Sequence, residues 1–148
     1  MPSLLQRAAF AAFIILGCAS ITALAQDHAY SEGPIINVSY IRTVDGKFDD
    51  YIQWLDTTWK QEQEAAKRAG YITDYQVLLA NPRGPDDPDV ILVITYPNWA
   101  ALDGGLAKGD AIAKQIEGSV AASNQGEFDR AKIRRVLGSD FMQVARLK

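Results

Sequence analysis

Residues 89–96, DVILVITY, are almost continuously apolar, and this run limits the possible folds more than any other stretch of the chain. Side chains alternate between the two faces of a strand. Val90, Leu92 and Ile94 therefore share one face while Ile91 and Val93 occupy the other. A strand with this pattern has both faces covered. Helices of the same short chain cover one side of a sheet only. The second face would present a large apolar patch to water, so a second copy of the chain is expected to cover it and the protein to be a homodimer.

The flanking segments supply the rest of the sheet and its helices. IINVSYIRT, residues 35–43, alternates Ile36, Val38, Tyr40 and Arg42 against Ile35, Asn37, Ser39 and Ile41, which predicts a strand. Phe48, Tyr51, Ile52, Leu55 and Trp59 follow helical spacing. Asp49 and Asp50 open that helix, Lys67 and Arg68 close it, and Gly70 ends it. YITDYQVLLA (71–80) alternates as a second strand, and NPRGPDDP (81–88) is an exposed loop. A helical region runs from Trp99 to Leu137, broken at Gly104-Gly105, Gly109 and SNQG (123–126). Asn124 with Glu127 reads as a capping box for its last helix, and DFMQVARL (140–147) makes the final strand. The order β-α-β-β-α-β predicts an α+β, ferredoxin-like fold with a four-stranded antiparallel sheet.

Residues 1–25 stand apart. Arg7, an apolar block from Ala8 to Leu16 and the exit Ala23-Leu24-Ala25 have the make-up of a secretory signal peptide cleaved after Ala25. The block is too short for a membrane span. The alternative is a lipobox at Ile15-Leu16-Gly17-Cys18, which would anchor the chain through Cys18. A periplasmic or secreted location follows from the first reading. Residues 26–33 then form a mobile polar tail and 34–148 a single domain. Removing 25 of the 148 residues leaves 123, and losing Arg7 takes the net charge from −3 to −4. That acidic balance argues against nucleic acid as a partner. The mature chain would hold no cysteine, which excludes disulfides and thiol chemistry.

VDGKFDDYIQWLDTTW, RAGYITDYQVLL and ILVITYPNWAALD resemble the dimeric α/β-barrel superfamily, over about residues 34–148. They look most like exported members related to NIPSNAP-like and antibiotic-biosynthesis-monooxygenase-like proteins. The resemblance implies that two sheets close a barrel and that ligands bind between each sheet and its own helices. Haem-dependent branches of that superfamily rely on histidine. Here the sole histidine is His28, in the tail, so no cofactor and no metal are expected.

The candidate residues each have a structural reading and a chemical one. Asn98 is read as a helix N-cap and Trp99 as its core anchor, with a pocket wall as the alternative. Trp54 and Trp59 lie about 140° apart on the first helix, Trp59 in the apolar stripe and Trp54 at its edge. Polar residues inside strands cost free energy unless paired. Asn37, Asp74 and Tyr75 form the catalytic candidate set, Asp74 as a base if burial raised its pKa. Tyr40, Trp54, Trp59, Gln76 and Trp99 are the ligand-pocket candidates, and Ser39, Gln143 and Arg146 are further strand polars. Arg130, Lys132, Arg134 and Arg135, like Glu62 and Glu64, are read as solvated charges. Two functions stay open: an exported protein binding a small apolar or aromatic molecule without turnover, and a cofactor-independent monooxygenase or isomerase of an aromatic or polyketide-like substrate.

Overall fold

A computed structural model describes residues 28–148. The proposed signal segment, Cys18 and the Ala25 cleavage point lie outside the described residues. Strand β1 (Tyr30–Thr43) leads into a helix whose first part, α1 (Phe48–Trp54), passes through a π-helical stretch (Leu55–Trp59) into α2 (Lys60–Arg68). Strands β2 (Asp74–Leu79) and β3 (Val90–Tyr96) follow, then a short 3₁₀ turn (Trp99–Leu102), α3 (Gly105–Glu117), α4 (Val120–Arg130) and β4 (Arg134–Leu147). The four strands form one antiparallel sheet in the order β2-β3-β1-β4. The chain is thus an α+β protein with its helices on one face of the sheet.

The core shows which strand parity meets the helices. Ile41 from β1 and Val90 and Leu92 from β3 pack with Tyr51, Leu55 and Trp59 of the first helix. Ile41 pairs with Val90 and Ser39 with Leu92, and cross-strand partners share a face. Ile35, Asn37, Ser39 and Ile41 therefore point to the helices. Ile36, Val38 and Tyr40 point away, with Ile91 and Val93 beside them. Leu78 and Met142 stand exposed on that outer face, while Val38 at its centre is buried.

Tyr51, Leu55 and Trp59 are spaced by four, a spacing that drifts about 40° per step in a plain α-helix. The wider π turn takes up that drift and keeps all three on the sheet. Thr57 stabilises the widened turn, its hydroxyl donating to the Gln53 carbonyl at 2.8 Å. The helix ends as its sequence predicts. Gly70 has φ +74°, Gly70 N donates to Lys67 O and Tyr71 N to Ala66 O, a Schellman closure.

Three boundaries differ from the sequence expectation. Strand β1 starts at Tyr30, so residues 30–33 are not tail. They pair with β4 across a register shift between Glu32 and Ile35. Gly33 permits the approach there, because a Cβ would sit 2.6 Å from the Val144 carbonyl. Asn124 does not cap the last helix; it lies inside α4, which Ser119 caps by accepting from Ala122 N at 3.0 Å. Residues 134–137 are strand rather than helix, because pairing of Arg134, Arg135 and Val136 with Thr43, Arg42 and Ile41 of β1 outweighs their helical spacing.

Candidate functional site

Two hollows lie between the sheet and its helices, and Glu62 lines both. The first is a cleft of about 330 Å³ between α2, α3 and the sheet. Its apolar wall comprises Tyr71, Ile72, Ile94 and Tyr96. The facing wall is α3, where Gly105, Gly109, Ile112 and Ala113 recur at one-turn spacing. No atom lies within 4 Å of where a Cβ would stand on Gly105 or Gly109, so the glycines leave this volume open. Lys108 closes one end, donating to Ala101 O at 2.7 Å with its ammonium 5.3 Å from the Tyr71 ring.

The second hollow is a chamber of about 250 Å³ under Trp54 and Trp59, floored by Ser39, Ile41 and Leu92. Its far wall is polar. Glu127 accepts from Arg130 Nη2 at 2.9 Å, and both its oxygens accept from Arg134 Nη2 at 2.9 Å. The Arg130 guanidinium lies 4.3 Å from the Trp54 ring centre, and Trp54 stacks on Tyr51 at 5.7 Å. The two arginine side chains are 11% and 9% exposed, which corrects their reading as solvated charges. Gly126 makes room for this packing: a Cβ there would stand 2.9 Å from Arg130 Nη1 and 3.2 Å from Glu117 Oε2.

The electrostatics follow from the packing. Burial, then the neighbouring Glu117 charge and a hydrogen bond with Glu117, push the Glu62 carboxyl up from 4.5 to about 7. Burial alone would raise Glu127. The hydrogen bonds and charges of Arg130 and Arg134 outweigh it and hold Glu127 below its ordinary value. Burial takes the Tyr51 hydroxyl to about 12 against the pull of both arginines, so it remains a donor at neutral pH. Glu117 Oε1, Arg130 Nε and Arg134 Nε are buried without a hydrogen-bond partner.

The sequence candidates divide between these places. Trp54 and Trp59 line the chamber. Tyr75 stands on the helix side, edge-on to Trp59 at 5.4 Å, its hydroxyl donating to Glu64 at 2.6 Å. That bond lifts its pKa to about 12. Asn37 also faces the helices, with Nδ2 donating to Asp140 O at 3.3 Å. Tyr40 and Gln76 pair with Ile91 and Val93 on the outer face, away from both hollows. Asp74 is exposed and paired with Lys67 at 3.2 Å. Its hydrogen bond from Lys67 lowers its pKa, so the burial that a base at this position requires is missing.

Trp99 is 49% exposed, its indole N–H 3.5 Å from Gln143 Oε1. Gln143 and Arg146 join it in a third, open hollow at the sheet's edge. Asn98 caps the 3₁₀ turn by accepting from Ala101 N at 3.1 Å, as the sequence predicts. His28 is exposed beside Tyr30. Among the described residues no group of three or more His, Cys, Asp or Glu is placed to hold a metal ion, and no helix is long and apolar enough to cross a membrane.

No protein-family model matches the chain, and no curated protein is significantly similar to it. Among solved structures it is similar to HapK from Hahella chejuensis, at 13% identity and a TM-score of 0.49. That match covers 73% of this chain and 90% of the other. At this identity and score the likeness says nothing about the chemistry of either hollow.

Proposed function

We propose that this is an exported small-molecule-binding protein of ferredoxin-like, dimeric α/β-barrel type, related to the NIPSNAP-like and antibiotic-biosynthesis-monooxygenase-like groups. An apolar or aromatic molecule binds in the cleft between the sheet and α3. The observation that carries this reading is the cleft itself, apolar on the sheet side and kept open by Gly105 and Gly109 on the helix side. A second copy covers the outer sheet face at Leu78, Ile91, Val93 and Met142. Export rests on residues 1–25 and places the protein in the periplasm or outside the cell, with anchoring at Cys18 as the alternative.

The test is calorimetry with 2-naphthol, a neutral aromatic probe. Wild type is expected to bind it and Gly109→Leu to lose it, while that variant keeps or gains stability, since glycine inside a helix costs about 1 kcal/mol. Undiminished 2-naphthol binding in Gly109→Leu would remove the cleft as the binding site.

One observation favours the second reading, a cofactor-independent monooxygenase or isomerase. Glu62 faces the cleft and gains its proton near pH 7, as a general acid–base group requires. It takes the place of Asp74 in that reading. Under it, Glu62→Gln abolishes turnover of an aromatic substrate and leaves binding in place; turnover that survives the substitution refutes it.

A further inference from the structure

The chamber beneath Trp54 and Trp59 differs in kind from the cleft, because its polar wall is built of donors. Arg130 and Arg134 present two guanidiniums with one direct carboxylate partner, Glu127. Each keeps a buried Nε–H without an acceptor. An unmet buried donor on a charged group is costly, and Arg134 is more than nine-tenths buried. The Tyr51 and Ser39 hydroxyls line the same chamber. Glu62 also lines the chamber, where burial and its hydrogen bond with Glu117 keep its carboxyl only partly ionised at neutral pH, while Glu117 itself does not line it. The remaining walls are the indoles of Trp54 and Trp59 and the aliphatic floor. About 250 Å³ is room for a single ring, given that an apolar cavity of about 150 Å³ accepts benzene.

We infer that this chamber binds a single-ring aromatic carboxylate, its anionic group paired with Arg130 and Arg134 and its ring against Trp59. Guanidinium forks match carboxylates in geometry and charge, and the low polarity of the aromatic and aliphatic walls strengthens that pairing. The inference goes beyond the reading of the cleft by assigning a charged ligand to a second hollow. It is tested at a different place.

The experiment is titration calorimetry of the folded chain with sodium benzoate, benzamide and sodium acetate. Benzoate is expected to bind at least about tenfold more tightly than either control, because the amide lacks the charge and acetate lacks the ring. Arg130→Gln should erase the preference for benzoate over benzamide. Arg134→Lys, which keeps a charge if Arg134→Gln fails to fold, should weaken it. Circular dichroism verifies that each variant is folded. Equal binding of benzamide would remove the anion site, and equal binding of acetate would remove the aromatic one. Absence of millimolar benzoate binding, or a preference that survives in folded Arg130→Gln, would overturn the inference outright. Binding of 2-naphthol, blocked by Gly109→Leu, stands or falls separately, so the two readings fail in distinguishable ways.

Discussion

Replacing Glu62 by glutamine should make the protein more stable above neutral pH and leave it nearly unchanged in acid. In the folded chain the Glu62 carboxyl titrates near 7, raised from 4.5 by burial and by Glu117, with Arg130 opposing. An acid whose folded pKa is raised holds its proton more tightly when folded. The stability gained from that proton is complete below about pH 4.5 and is lost as the pH rises to about 7. At about 1.36 kcal/mol per pH unit, the interval from 4.5 to about 7 corresponds to roughly 3 kcal/mol. Glu62 is only partly buried, so solvent screening reduces this to about 1–2 kcal/mol. Glutamine matches the shape of the protonated acid and can donate to Glu117 in its place. Thermal melts at pH 5 and pH 8 measure the difference, at roughly 4 °C per kcal/mol for a domain of this size. The variant should match wild type at pH 5 and melt about 4–8 °C higher at pH 8. A gap that is the same at both pH values, or a wild type more stable at pH 8, would refute the electrostatic account of this pair.

Three further outcomes test the rest of the structure. Val93→Asp, on the outer sheet face at the centre of β3, should convert a dimer to a monomer in sedimentation equilibrium; a monomeric wild type would sink the proposed covering of that face. Leu55→Ala, in the core of the π turn, should cost about 2–5 kcal/mol in urea unfolding, and a cost under about 1 kcal/mol would mean that the first helix is not seated on the sheet. Asn98→Ala should cost about 1 kcal/mol through the lost cap to Ala101 without altering 2-naphthol binding. An effect on binding with no effect on stability would return Asn98 to the chemical candidates.

The elements legible in the sequence were those with both a strong period and a defined stop. Val90–Tyr96 is a strand because its run of branched side chains has no other use, and Gly70 ends the first helix because its φ is positive. Asn98 is a cap for the reason its position indicated. Ser119 and Asn124 are both good caps, and Ser119 serves because α3 ends at Gly118, whose positive φ breaks the helix just before it. Strand parity was hidden because Ile35 and Ile36 are equally apolar, and that alone misplaced Tyr40 and Gln76. Arg130 and Arg134 were missed because their spacing is the same for a solvated helix end and for a buried pair. One signal was present: Gly126, four residues before Arg130, leaves a groove in which a long side chain can lie flat. Glu62 gave no signal at all, since its partner Glu117 lies on another element.

The π turn has a consequence for how this chain is lined up with others. Between Trp54 and Lys60 the helix contains one residue more than a plain helix needs to join the same two ends. Deleting Thr57 would let that stretch close as an ordinary α-helix while Glu62 and Ala65 kept their places over the sheet. A deletion inside a helix normally turns everything beyond it by about 100°; here it would remove a bulge. A relative without the bulge would differ from this chain by a gap in mid-helix, and an alignment that forbids such a gap would set its acids against the wrong residues from Glu62 onward.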